Sequence, residues 1–117
     1  MSYRFPILYL VLVSALFGGR PIAPFIAEAR GHSMQPAIRD GDRFKVLAYP
    51  FERVRRGMVV LRWDEAHETL ISHRVIAAGT AANGKRYLVT KGDNNREPDF
   101  VRVAEYDYVG LADLPIK

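Results

Sequence analysis

Met58 to Lys91 reads MVVLRWDEAHETLISHRVIAAGTAANGKRYLVTK, and it decides the fold. Three runs rich in Val, Ile, Leu and Thr are separated by a polar stretch at Asp64 to Glu68 and by Asn83-Gly84. Runs of this length bounded by turn residues are β-strands, and Asn-Gly between two strands is a type I′ hairpin signal. The same texture extends outward in both directions. Strands are expected at Phe25 to Ala29, Arg43 to Tyr49, Met58 to Trp63, Thr69 to Ala78, Arg86 to Thr90, Phe100 to Val103 and Tyr108 to Ala112. Asp40-Gly41-Asp42, Arg56-Gly57 and Gly92-Asp93-Asn94-Asn95 punctuate them. The expected domain is mostly β, a compact antiparallel sheet structure.

The chain has 117 residues, room for one core and no second domain. Its 49% apolar and 26% charged residues are an ordinary globular mixture, which excludes wholesale disorder and a multi-span membrane protein. There is no cysteine, hence no disulfide framework, zinc-thiolate site or thiol nucleophile. A net charge of +4 suits an anionic partner but also an ordinary basic surface. No repeat or heptad pattern occurs, so solenoids and coiled coils are excluded.

Phe5 to Gly19 is an uncharged run of fifteen residues between Arg4 and Arg20. A spanning helix needs about 20 residues, with a lower range near 17, so this run spans a bilayer only if the flanking arginines snorkel. Residues 1–20 are read as an N-terminal transmembrane anchor and 21–117 as the folded domain. A cleaved secretory signal, with Met1 to Arg4 as its charged end, and a buried core helix are the alternatives.

Three segments carry chemistry. Gly31-His32-Ser33-Met34-Gln35-Pro36 follows a strand and displays a serine at its end. In Ile71-Ser72-His73-Arg74-Val75-Ile76, alternation puts His73 on one face with Ile71 and Val75, and Arg74 on the other. Val89 to Asn95, continuing to Asp99, is a strand running into a polar turn. Singly, each has an ordinary structural explanation: a surface turn, a core histidine, an Asx-stabilised loop. Together, in the order Ser, His, Asp, they supply a nucleophile, a base and a carboxylate to fix the imidazole tautomer, as serine acyl transfer requires.

With these boxes the sequence resembles the type I signal peptidase family (peptidase S26), in its endoplasmic-reticulum and archaeal branch, where histidine replaces the lysine base. GHSMQP (31–36) is similar to the nucleophile box, DGDRFKV (40–46) and RRGMVVLR (55–62) to the strand boxes, SHRVI (72–76) to the base box and TKGDNNREPD (90–99) to the carboxylate box. The resemblance implies a membrane-anchored serine endopeptidase that removes signal peptides from exported preproteins, with its catalytic domain on the extracytoplasmic side. It implies Ser33 as nucleophile, His73 as general base, Asp99 as the carboxylate orienting His73, Asp93 as a structural or auxiliary acid, and the Ser33 backbone N–H as an oxyanion donor. Signal peptides and membrane lipid are the implied partners, without nucleic acid, cofactor or metal; accessory subunits are left open. Two positions depart from the family. Gly31 stands where the branch often carries a serine able to donate a second oxyanion hydrogen bond, and Pro98 stands before Asp99 where relatives often have Asp.

Basic residues lean the other way on orientation, with Arg4 before the apolar run and Arg20 and Arg30 after it, but large domains translocate largely regardless of charge. His32 and His67 are poor bases by position, and the Asp64, Glu65, His67, Glu68 cluster reads as a solvated hairpin loop. Arg53, Arg55 and Arg56 form the densest basic run, a solvated loop or a lipid contact. Trp63, Phe25, Phe44 and Phe51 either fill the core or dip into a bilayer. Asp93 is expected to shape its loop by accepting backbone N–H bonds, and Asp99 to be held by the strand beginning at Phe100. The alternatives are a membrane-tethered basic β domain without catalysis and a repressor-type self-cleaving peptidase.

Overall fold

The computed structural model describes residues 2–4 and 20–114. Eight strands form one antiparallel sheet: β1 (Ser2–Arg4), β2 (Phe25–Arg30), β3 (Arg43–Leu47), β4 (Val59–Asp64), β5 (Thr69–Thr80), β6 (Arg86–Lys91), β7 (Val103–Ala104) and β8 (Tyr108–Asp113). A short 3₁₀ turn covers Phe51–Arg53. The order is β1-β2-β3-β8-β4-β5-β6-β7, and β1 also pairs with β5. Six strands thus close into a ring through β1, while β6 and β7 extend from β5.

Alternation explains the inner core. Phe25, Ala27 and Ala29 of β2 and Phe44 and Val46 of β3 are buried, with Glu28, Arg43 and Lys45 on the other face. On β4 every residue from Val59 to Leu61 is buried, because this central strand has a core on both sides. Val59, Leu61 and Trp63 join the inner core with Met34, Ile38 and Leu70. Val60 joins a second cluster with Phe51, Val54, Val75, Leu88 and Val103. A strand buried on both faces reads as a continuous apolar run rather than an alternating one.

β5 belongs to both halves. Thr69 to Arg74 pair with β4, and Arg74 to Thr80 pair with β6, with a register shift between Val75 and Ala77. His73 faces Val60 across the ladder where β5 passes from one half to the other.

Two expectations need correction. Phe100 to Val103 is strand only at Val103–Ala104, since Phe100 is 103% and Val101 52% exposed and only Val103 reaches the core. The Asn83-Gly84 turn is not type I′, which requires positive φ at both central residues. Gly84 has φ 83°, but Glu68 alone among the described non-glycine residues is positive, and the loop instead closes Gly84 N–H onto the Ala81 carbonyl. Of the two readings of Trp63, Phe25, Phe44 and Phe51, the core is the one found, since none is above 8% exposed. Ser2–Arg4, read as the charged end of a leader or anchor, forms a strand. The Phe5 to Gly19 run lies outside the described residues. Among those described, no helix is long and apolar enough to cross a membrane.

Tyr108 ties the second cluster to the ring. Its hydroxyl donates to the Tyr49 carbonyl at 2.7 Å and its ring packs against Phe51 at 5.4 Å. Burial, helped by Tyr49 and Glu52, pushes its phenol up to about 12. Tyrosine in an unfolded chain titrates near 10, so the stability from the neutral phenol is full below that value and lost as pH rises toward 12. Urea midpoints are expected to fall across that window, and more weakly in Tyr108→Phe. Parallel slopes would contradict the assignment.

Candidate active site

The Ser33 turn is built from both flanks. β2 ends at Arg30, and Gly31 takes φ 92°, a left-handed conformation that favours glycine. The Asp40-Gly41-Asp42 turn braces it, with Gly31 N–H donating to Asp40 Oδ1 at 2.8 Å and Gly41 N–H to the Ala29 carbonyl at 2.8 Å. Met34, next to the serine, is fully buried in the inner core and pins the turn by its side chain. That packing explains a methionine at this place: an unbranched apolar chain fills an irregular gap while its neighbour stays on the surface.

On the opposite wall, Ser33 Oγ lies 3.1 Å from His73 Nε2, and His73 Nδ1 lies 2.5 Å from Asp99 Oδ2. Thr90 Oγ1 donates to the same Asp99 oxygen at 2.7 Å. Burial pushes the Asp99 carboxyl up, but the hydrogen bonds from His73 and Thr90, with the charges of His73 and Arg62, outweigh it and hold Asp99 below the usual carboxylate range. An ionised carboxylate can only accept, so the imidazole proton sits on Nδ1. In the neutral ring Nε2 is then the acceptor, and Ser33 Oγ–H donates to it. Residues 33, 73 and 99, distant in sequence, form one hydrogen-bonded line. The strand expected to begin at Phe100 and hold Asp99 begins only at Val103; Asp99 is fixed by its own N–H on the Thr90 carbonyl at 2.8 Å and by the Thr90 hydroxyl.

Asp93 lies on the other face of β5, as the alternation of His73 and Arg74 requires. Its carboxylate does not bond loop N–H groups, contrary to expectation. It accepts a bidentate pair from Arg74 Nε and Nη2, both at 2.8 Å, while Arg74 Nη1 donates to the Gly57 carbonyl at 2.7 Å. The next residue closes the loop over the nucleophile turn: Asn94 N–H donates to the Ser33 carbonyl at 2.8 Å and Asn94 Nδ2 to the His32 carbonyl at 3.2 Å.

Gly92 lets these walls meet. A Cβ there would stand 2.7 Å from the Ser33 carbonyl oxygen and 2.6 Å from Asn95 Nδ2. The first is backbone and cannot yield without moving the turn. Gly92→Ala is therefore expected to lose about 1–3 kcal/mol of stability, as overpacking does, and to displace Ser33 from His73. A parent-like melt with parent-like Ser33 reactivity would contradict the packing.

The open pocket beside Ser33 is lined by His73, Ile71, Thr69, Asp64, His67 and Asn95. The Asp64 and His67 side chains, read as a solvated loop, form its far rim, paired at 2.9 Å. His32 is turned aside, its Nδ1 accepting from Gln35 Nε2 at 2.9 Å. No group of three or more His, Asp or Glu converges on a metal position among the described residues.

No family model matches the chain. It is 34% identical over 77 residues to Signal peptidase complex catalytic subunit SEC11C of Homo sapiens and of Mus musculus, covering 66% of this chain and 40% of theirs. It is 32% identical over 100 residues to Signal peptidase complex catalytic subunit SEC11 of Eremothecium gossypii, covering 79% of this chain and 58% of that protein. Its homologues are signal peptidase catalytic subunits. The chain spans about half the length of these relatives.

Several residues that build the site are missing from the sequence reading. Thr90, Asn94 and the Arg74 partner of Asp93 bond across segments far apart in the chain, and only the sheet register brings them together. Thr90 faces Val75 across β5 and β6 and so shares the face of His73, a placement that the register sets.

Proposed function

We propose that this chain is a membrane-anchored serine endopeptidase that removes signal peptides from exported preproteins. Ser33 Oγ attacks the scissile carbonyl carbon and its proton passes to His73 Nε2. Asp99 holds the imidazole in the correct tautomer and stabilises the imidazolium as it forms, while the Ser33 N–H, which makes no hydrogen bond among the described residues, donates to the developing oxyanion. The C–N bond then breaks, the leaving amine takes the proton from His73, and water repeats the cycle to release the acyl group. Asp93 is auxiliary: with Arg74 it fixes the loop that covers the nucleophile turn.

The observation that carries this reading is the line from Ser33 through His73 to Asp99, at 3.1 Å and 2.5 Å. The first distance is within reach for a general base. The homologues point to the same activity. The slot that β1 fills supports an extended substrate: Ser2 pairs with Arg30 on one side and with Ile71 on the other, two residues before His73. A signal-peptide segment in that place would bind by strand addition, its backbone held on both edges and its scissile bond carried to Ser33.

In this reading β1 gives up its slot to the substrate, because Ser2–Arg4 cannot share a sheet with residues 21–117 across a spanning segment; the uncharged Phe5 to Gly19 run then anchors the domain in the membrane, with residues 21–117 on the extracytoplasmic side where signal peptides emerge. Membrane lipid is then a standing partner. The test is labelling with a serine-reactive acylating probe, followed by mapping of the modified residue. Modification at Ser33, lost in Ser33→Ala, is expected. A folded parent that takes no label at Ser33 would overturn the reading.

A further inference from the structure

We propose that the Asn95 side-chain amide is the second oxyanion donor, taking the place of the serine hydroxyl that Gly31 lacks. This rests on Ser33 acyl transfer. Attack by Ser33 Oγ places a negative charge on the former carbonyl oxygen, and such sites gather preorganised donors at that point. The Ser33 N–H is one. Position 31 cannot supply another, because it has no side chain and its N–H already donates to Asp40 Oδ1 at 2.8 Å. Its φ of 92° would also strain a serine.

Asn95 is placed to fill that role. It lines the pocket shared by Ser33 and His73. Its backbone is fixed by Asn95 N–H on the Gly92 carbonyl at 3.0 Å, and its exposed side-chain amide lies over Gly92, on the wall that meets the Ser33 turn. The point where a Gly92 Cβ would stand is 2.6 Å from Asn95 Nδ2 and 2.7 Å from the Ser33 carbonyl oxygen, so donor and nucleophile backbone crowd one spot. The remaining polar side chains of the pocket are committed or remote. Ser33 and His73 bond each other, and Asp64 bonds His67. Thr69 is four residues from His73 along β5, about 13 Å at strand rise. The Asn95 amide has no hydrogen bond among the described residues. A neutral donor there also adds no charge beside the His73–Asp99 pair.

The experiment compares parent, Asn95→Ala and Asn95→Asp, with Asn83→Ala in the distant β5–β6 loop as control. It measures kcat and KM for cleavage of a signal-peptide-bearing preprotein in lipid, the rate of Ser33 modification by the acylating probe, and the melting temperature. Both Asn95 variants are expected to lose about 10²–10³ in kcat, as removal of one oxyanion donor does. KM and melting should stay near the parent's, and Ser33 modification should slow in parallel. A parent labelled at Ser33 with Asn95 variants within threefold of it in kcat would overturn the Asn95 assignment alone. So would a rise in KM at unchanged kcat, which would make Asn95 a ground-state contact. A folded parent unlabelled at Ser33 would overturn the acyl-transfer reading and this one with it.

Discussion

Replacing His73 is expected to lower turnover of a preprotein by about 10⁶, as much as removing Ser33, because nucleophile and base act as a unit in serine acyl transfer. Without a base at 3.1 Å, Ser33 keeps its proton and is a poor nucleophile. His73 is 8% exposed and Asp99 12% by side chain, so alanine also strands a nearly buried carboxylate with Thr90 as its remaining hydrogen-bond donor. His73→Ala therefore confounds stability with chemistry. His73→Gln keeps a polar group in the space and is the cleaner variant. Kinetics of Ser33→Ala, His73→Gln and the double variant decide it: each single change should cost nearly what the pair costs. A His73→Gln protein within tenfold of the parent would remove His73 from the base role.

Asp99→Asn is expected to lower turnover by about 10²–10⁴ while Asp93→Asn mainly lowers stability. Loss of the orienting carboxylate in the serine-protease template costs about 10⁴ through the wrong imidazole tautomer. Here one Asp99 oxygen accepts from both His73 Nδ1 and Thr90 Oγ1. In the amide, either the oxygen stays and only the charge is lost, or an NH₂ faces two donors and the ring turns over; the range spans these cases. Asp93 makes no bond to His73 or Ser33. Its loss leaves a partly buried Arg74 guanidinium half-paired, worth about 1–3 kcal/mol at this exposure. Acid titration separates them further. Because the folded Asp99 carboxyl is held low, its contribution is present above its unfolded value of about 3.9 and is lost as pH falls through the lower folded value. Asp99→Asn should flatten that acid loss. Thermal melts and cleavage assays of both variants are the measurement. An active Asp99→Asn beside a folded, inactive Asp93→Asn would reverse the roles.

Six strands of the sheet, β2 to β6 and β8, correspond to runs readable in the sequence, because β-branched and aromatic residues between Gly, Asp and Asn turns report a half-buried pleated surface directly. The failures share a cause. Phe100 and Val101 have strand-forming side chains but no strand to pair with, and propensity carries no information about partners. Asn83-Gly84 has the right residues for a two-residue turn, yet the ladder ends at Thr80 and Arg86, which leaves a longer loop. At the site, the order of Ser33, His73 and Asp99 was legible because each lies in its own short box. What holds them was not. Thr90 on Asp99, Arg74 on Asp93 and Asn94 on the Ser33 carbonyl depend on the register of β5 against β6 and on the return of the loop across the ring. The ring itself was hidden, since closure through Ser2–Arg4 joins the start of the chain to Arg30 and Ile71.

The most direct test of the account is cleavage of a signal-peptide-bearing preprotein by the purified full chain in lipid, with the cut site read by mass spectrometry and Ser33→Ala run beside it. One cut at the end of the signal peptide is expected, made by the parent and absent in Ser33→Ala. An intact preprotein after incubation with folded, membrane-inserted parent, or the same cut from Ser33→Ala, would contradict it.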